Sequence, residues 1–501
     1  MSYSGFVLSA LTVMLSLFVF DIATAGAQQI SYWSAQEKIP AYEIYNNEQP
    51  PYLIADADHK VHAFNSQFVG ENDSADSLRA VFYRQWTLSR GWTYPNDIFA
   101  DIDGSIYLLG VSNDESGIVH LIFQKNFQDV YYSHAYLANA SDPESWSAPI
   151  SIGGGSLNVR FGIPTVAAIS NDKNGERIIV VYSGTEFGNG LYFTYSNDHG
   201  DTWSLPYPIY LTGDETFVVT NPSLYMGQSG VLHAVWATFD SKGFGGPGYY
   251  ARFDLDSGIW SEPMELDAPG IRTPSVVEYN EGVFIGYYHN SSNGRWWRYS
   301  NDGGKTWTDP TPLSSRHVGT NGGVSFVVDS NETLHAFFAG RIDENATHGM
   351  WHSIWLGTAW SSADPVVAGK SISDIDGGNG FDPTFANATV SNGNVILVTW
   401  GSDGSAGTNG AWYSYTVLDA PELPGIPLPV PTVLPVNDLT SKSGLMTTKV
   451  PTPPAGIPDT LKDQKGISIR NPQTQIFVAL IPVAFLLIGS FIAKVIRTRS
   501  G

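Results

Sequence analysis

The sequence predicts an all-β fold, a seven-bladed β-propeller, and three series of short motifs predict it. The first is Trp followed by Ser or Thr, at Trp33, Trp92, Trp146, Trp203, Trp260, Trp307 and Trp360, with spacings of 59, 54, 57, 57, 47 and 53. The second is a mostly apolar stretch in step with it: Val61–Phe64, Val119–Ile122, Ile178–Val181, Leu232–Val235, Val283–Gly286, Leu334–Phe337 and Val395–Val398. The third lies between them: Val81–Tyr83, Val130–Tyr132, Leu191–Phe193, Tyr249–Ala251, Trp296–Arg298, Met350–His352 and Ala411–Tyr413. A repeat of about 50 residues with room for four strands is one propeller blade, which cannot bury both faces of its sheet alone and must stack in a ring.

In the fourth repeat the strands are expected at Ser223–Gly227, Val231–Thr238, Gly248–Leu255 and Ile259–Leu266. The phase of the repeat says how the ring closes. The seventh copy ends at Tyr413–Leu418 without its Trp strand, whereas Trp33-Ser34 precedes the first complete copy. The segment Ile30–Ala35 is therefore expected to supply the outer strand of the last blade, which removes two sheet edges at once.

Two of the turns share one motif, Ser-x-Asp-x-Gly-x-Thr-Trp. It stands at Ser196, Asp198, Gly200, Thr202 and Trp203, and again at Ser300, Asp302, Gly304, Thr306 and Trp307. The chemistry suits a tight turn between strands: Asp accepts from turn N–H groups, Gly supplies a positive-φ corner, and Trp packs between sheets. These two stretches resemble the Asp-box of the sialidase (BNR-repeat) family. The resemblance implies a sialidase-like propeller, with six blades as the alternative to seven because family sialidases have six. The motif itself is a structural staple.

Composition agrees with many short strands and tight turns: 51 glycines and 13% aromatics in 501 residues. Lys+Arg number 26 against 48 Asp+Glu, a net charge of −22. A surface that acidic repels phosphate backbones, so no nucleic-acid partner is expected. No cysteine is present, so neither disulfides nor thiolate metal sites can form. An extracellular protein without disulfides points to a prokaryotic surface.

Outside the propeller, expected over 28–419, the chain reads differently. The apolar run Phe6–Phe20 leads to the small-x-small stretches Ala23-Thr24-Ala25 and Ala25-Gly26-Ala27, so residues 1–27 read as a secretory signal peptide, with an uncleaved anchor as the alternative. Residues 420–475 are proline-rich, from Pro421 to Pro458, and read as an extended stalk. Ile476–Ala493 is an 18-residue uncharged run followed by Lys494, Arg497 and Arg499. A transmembrane helix is expected over 476–496, with a cytoplasmic tail at 497–501. The expected location is the plasma membrane, in a single pass with the propeller outside.

A ligand site on such a ring is expected where the loops joining strand 4 to strand 1 and strand 2 to strand 3 converge, opposite the Asp-box turns. The family resemblance implies three arginines that clamp a substrate carboxylate, a Tyr–Glu nucleophile pair and an Asp acid/base. Candidates here are Arg160, Arg272 and Arg316 in the 4–1 loops, Arg341 in a 2–3 loop, Glu186 in the 2–3 loop of the third blade, and Tyr288 beside Tyr287. The family's first arginine sits in Phe/Tyr-Arg-Ile-Pro, and the nearest stretch read from the sequence is Arg160-Phe161-Gly162-Ile163-Pro164, with Gly in the arginine's place. The expected partner is an extracellular glycan or glycoprotein, with membrane association through the C-terminal helix. The activity implied is exo-sialidase-like hydrolysis of terminal acidic sugars, and the alternative is a non-catalytic adhesion or binding propeller.

No cofactor or metal is expected. His62, His120, His233 and His335 recur at one point of the second strand and read as blade-packing residues with one hydrogen bond each. Asp101-Ile102-Asp103-Gly104 and Asp374-Ile375-Asp376-Gly377 resemble fragments of calcium loops but lack the closing Glu. Asn-x-Ser/Thr sequons stand at Asn72, Asn139, Asn290, Asn331, Asn345 and Asn387.

Overall fold

The computed structural model describes residues 33–42, 50–69, 78–100, 104–125, 129–154, 166–172, 175–213, 216–227, 229–240, 245–267, 269–319, 322–342, 348–369, 383–402 and 410–429. These form seven antiparallel sheets of four or five strands. The first strands of the seven blades touch their neighbours in sequence, and the seventh touches the first, so they line the ring's axis. In the fourth blade the strands are Phe217–Met226, Val231–Asp240, Gly245–Asp254 and Ile259–Trp260, with Met264–Asp267 continuing the outer edge.

The core is divided into layers, one in each gap between blades. Successive residues of every second strand face opposite gaps, as the two-residue period of a strand requires. Thus Leu121 packs toward the first blade and Ile122 toward the third, while Val181 and Val180, or Phe337 and Ala336, divide in the same way. Both faces of this strand are buried, and that is why its sequence is continuously apolar rather than alternating.

Each of the seven tryptophans is a wedge against the preceding blade. Trp203 meets Tyr132 at 4.8 Å between ring centroids, Trp260 meets Phe193 at 5.7 Å, and Trp307 meets Tyr250 at 4.9 Å. Trp146 meets Phe99 at 5.3 Å, Trp360 meets Phe284 at 6.1 Å, and Trp92 meets Tyr413 at 5.8 Å. Trp33 completes the set against His352 at 5.7 Å. The nearly even spacing in the sequence records one such wedge per gap.

The two Asp-boxes are built as their residues imply. Asp302 Oδ1 accepts from Ser300 Oγ at 2.8 Å, Lys305 N at 3.0 Å and Thr306 N at 2.9 Å, while Thr306 Oγ1 donates to Oδ2 at 2.6 Å. Asp198 repeats the pattern with Ser196 and Thr202. Gly304 has φ +84° and lies under the hydroxyl of Tyr250, which any Cβ would strike; Gly200 lies under Tyr132 likewise. The box is therefore also a contact between blades.

The ring closes through the N-terminal segment, a few residues further along than Ile30–Ala35. Glu37 and Lys38 pair with Tyr413 and Trp412. Ser34 N donates to Tyr415 O and Ile39 N to Ala411 O, both at 2.8 Å. Residues 30–32 lie outside the described residues. The strand's center is polar because an outer strand needs only its backbone, and its apolar anchors are Trp33 and the buried Ile39 on either side.

Beyond Val417 the chain turns under the ring as a strap. Asn394 Nδ2 donates to Ala420 O, Asn331 Nδ2 to Asp419 O, and Leu423 N to Asn392 O. Further along, His59 is hydrogen-bonded to Leu423 O at 2.7 Å, Ile426 N donates to Ala57 O at 2.7 Å, and Leu428 packs on the core between the first two blades. The strap thus crosses the turns between first and second strands of the sixth, seventh and first blades, bracing the closure. A chain ending at Leu418 is expected to melt a few degrees below one ending at Pro429, measured by thermal unfolding; equal melting temperatures would show the strap to be passive.

Of the stalk expected over 420–475, residues 420–429 lie along the ring as this strap; the rest of it, the expected signal peptide, the span at 476–496 and the tail lie outside the described residues. Among the described residues no helix is long and apolar enough to cross a membrane.

Candidate functional site

The ring has two unlike faces. One carries the Asp-box turns, the 1–2 turns and the strap. The other carries the 4–1 and 2–3 connections, which touch one another: Gly154 N, at the end of the second blade, donates to Glu186 Oε1 of the third blade's 2–3 loop at 2.6 Å.

Glu186 and Tyr288 are not brought together. Tyr288 Oη donates to Asn293 Oδ1 at 2.5 Å, within its own hairpin. Glu186 is paired instead with Tyr182, whose hydroxyl donates to Oε1 at 2.7 Å. Burial first, and the Glu186 carboxylate second, push the Tyr182 phenol far above its ordinary range. Tyr182 is fully buried, with its hydroxyl against the backbone of Gly153. Glu186 Oε2 is buried with no hydrogen-bond partner among the described residues. Phe187, next in the loop, is 62% exposed.

Two of the four candidate arginines, Arg316 and Arg341, fall at the connection between the fifth and sixth blades, described over 313–319 and 322–323. Arg341 ends the second strand of the sixth blade and is paired with Val318 in both directions, each N–H···O being 2.9 Å. Arg316, two residues before Val318, is exposed. Neither side chain makes an ion pair or hydrogen bond among the described residues, and Arg341 Nε is buried without a partner. Arg272 lies inside the first strand of the fifth blade, not in the loop before it, with its guanidinium 4.9 Å from the Phe239 ring center. Thr273, at φ +44°, bulges that strand and leaves its carbonyl against Gly323. Arg160 lies outside the described residues. The Arg-x-Pro spacing expected of the family's first arginine stands at Ile271-Arg272-Thr273-Pro274, a signal in the sequence that the reading around Arg160 passed over.

One residue of this seam has no counterpart in the sequence reading. Arg295, in the third strand of the fifth blade, is 1% exposed; it donates through Nη1 to Gly319 O and through Nη2 to Gly322 O at 3.1 Å. Its guanidinium lies 5.0 Å from the Tyr288 ring center.

The recurrent histidines belong to the opposite half of each blade; His62 and His233 make two hydrogen bonds, whereas His120 and His335 make the single one expected, with a carboxylate nearby at ion-pair distance. His62 joins Tyr83 Oη at 2.8 Å and Asp56 at 2.9 Å; His120 joins Tyr132 at 2.6 Å and Asp114 at 3.5 Å. His233 joins Tyr250 at 2.8 Å and Glu278 at 3.3 Å, and His335 joins His352 at 2.9 Å and Asp329 at 3.3 Å. Among the described residues no three His, Asp or Glu side chains gather as a metal site. Both Asp-Ile-Asp-Gly stretches fall at least in part outside those residues. Of the sequons, Asn290 is exposed beside the seam, whereas Asn387 donates to Pro51 O and Asn331 is used by the strap. Asn72 and Asn345 lie outside the described residues.

No protein-family model and no curated protein matches the sequence. Among solved structures the chain is similar to an ulvan lyase, a polysaccharide lyase bound to a GlcA–Rha3S saccharide, at 12% identity and TM-score 0.46 over 76% of this chain and 96% of that one. It is also similar to a Streptococcus pneumoniae sialidase, at 12% identity and TM-score 0.44 over 78% and 70%. A Ruminococcus gnavus intramolecular trans-sialidase is similar at 13% identity and TM-score 0.43 over 79% and 98%. Seven blades around one axis, wedged by tryptophans and stapled by two Asp-boxes, make the chain a seven-bladed β-propeller.

Proposed function

We propose that the protein binds acidic carbohydrate on the 4–1 and 2–3 face, at the seam between the fifth and sixth blades. The observation that carries this reading is Arg341, a half-buried guanidinium with no carboxylate or hydrogen-bond partner among the described residues of a chain with net charge −22. An arginine left open in so acidic a protein is suited to a carboxylate or sulfate, which its planar fork can grip with two hydrogen bonds. Arg316 stands two residues before Val318, which pairs with Arg341. Arg341→Ala is expected to weaken binding of polygalacturonate about tenfold or more, the loss of one or two charge-assisted hydrogen bonds. Neutral dextran is the control, read by affinity electrophoresis or calorimetry. Unchanged affinity would remove the seam from binding.

Hydrolysis is the second reading, and Tyr182–Glu186 is what favors it. A nucleophilic pair must reach the anomeric carbon, yet the Tyr182 hydroxyl is enclosed beneath Gly153, so binding without turnover is the better-supported reading. Turnover of an acidic-sugar glycoside that disappears in both Tyr182→Phe and Glu186→Gln would reverse that order. For the anchored topology, support comes from the strap: the chain reaches Pro429 on the Asp-box face, so a C-terminal anchor would hold the arginine seam outward.

A further inference from the structure

We propose that Arg295 is the positioning residue of the ligand seam, holding the connection between the fifth and sixth blades at Gly319 and Gly322 so that Arg316 and Arg341 are presented together. The inference rests on the acidic-carbohydrate reading for its consequence, though not for its geometry. Arg295 grips the connection from inside, through the carbonyls of Gly319 and Gly322. On the outer side the same backbone is held by Asn293, whose carbonyl accepts from Gly319 N at 2.8 Å, and by the Val318–Arg341 bridge. Asn293 in turn fixes the Tyr288 hydroxyl, and the Tyr288 ring lies beneath the Arg295 guanidinium. Arg295, Tyr288 and Arg272 are register partners across three neighboring strands, so the grip is built into the rigid blade.

Two features separate this role from simple space-filling. Burying a guanidinium is costly, and an apolar side chain of similar volume would fill the gap without that cost. Burial indeed draws the Arg295 pKa down, to about 10. Second, the two carbonyls belong to residues three apart, which a planar fork can bridge and a compact ammonium cannot. Removing the fork leaves the connection tied by its backbone bonds and by Leu313 and His317, which pack in the core, but loosens it at Gly319 and Gly322, and Arg316 on it becomes easier to cleave.

The test uses the full chain with Arg295→Met and Arg295→Lys. Trypsin cleavage after Arg316, followed by mass spectrometry under native conditions, reads the connection directly, and polygalacturonate affinity reads the seam. Both variants are expected to raise the cleavage rate and to weaken affinity by about tenfold each, the scale of one charge-assisted hydrogen bond. Arg295→Lys keeps the charge, so it remains informative should Arg295→Met fail to fold. Cleavage at the wild-type rate in the lysine variant would overturn the inference. Where Arg341→Ala leaves affinity unchanged, the ligand reading has failed, and the cleavage rate alone decides whether Arg295 holds the connection.

Discussion

Trp307→Ala is expected to destabilize the propeller by about 3 kcal/mol, the lower end for removing a packed tryptophan because this one is only half buried. Its ring stands edge-on to Tyr250, 4.9 Å between centroids and 72° between planes, and fills the gap between the fourth and fifth blades. Trp307 Nε1 has no hydrogen-bond partner among the described residues, so the loss is one of packing, with no polar group orphaned. Tyr250 then loses its cover, although its hydroxyl still meets His233 at 2.8 Å. Asp302→Ala in the same box is expected to cost clearly less. The N–H groups of Lys305 and Thr306 that it releases belong to exposed residues, which water can satisfy. Urea denaturation of both variants checks the order, and a larger loss in Asp302→Ala would show that the turn matters more than the wedge. Polygalacturonate affinity per folded molecule is expected to stay at the wild-type value in both, since the box lies on the face away from the seam.

The repeat was legible because the same physical demand recurs in every gap. A second strand buried on both faces has to be apolar throughout, and a wedge of tryptophan size stands out in any sequence. The closing strand was legible only by phase. Counted from Trp33-Ser34, the phase placed it a few positions upstream of the exposed Glu37 and Lys38 that pair. The candidate site was less legible, because its contacts join residues distant in sequence. Nothing local marks Arg295, which in Gly294-Arg295-Trp296 reads as a surface strand residue until the carbonyls of Gly319 and Gly322 close over it. Tyr182 was hidden for the opposite reason: it continues the apolar stretch of its strand, and only the 2–3 turn brings Glu186 back onto its hydroxyl. The histidines showed their period but not their second partners, which come from the 1–2 turns or, for His233, from the next blade.

Acid is expected to weaken the ring, and His352 is where that sensitivity can be reduced. Three of the four histidine pairs place a tyrosine on the third strand, Tyr83, Tyr132 or Tyr250; the sixth blade places His352 there instead. Burial first, and neighboring His335 second, draw the His352 pKa from 6.5 to about 3. Burial, with Arg316 and Arg295, draws His317 from 6.5 to about 4. The unfolded chain therefore takes up protons near pH 6.5 that the folded chain refuses until far lower pH. Stability from these groups is complete above pH 6.5 and declines as the pH falls toward 4. For His352 the decline to pH 4 is on the order of 3 kcal/mol. His352→Tyr restores the residue type of the other blades, offers His335 a hydroxyl, and removes one group that protonates on unfolding. Its urea midpoint is expected to fall less steeply than that of the wild type between pH 6.5 and 4, while the two agree in slope above pH 7. Parallel curves over the acid range would show that His352 does not set the acid limit, leaving it to the other histidines whose pKa burial lowers, His317, His233 and His134, and to the paired carboxylates Asp56 and Asp329.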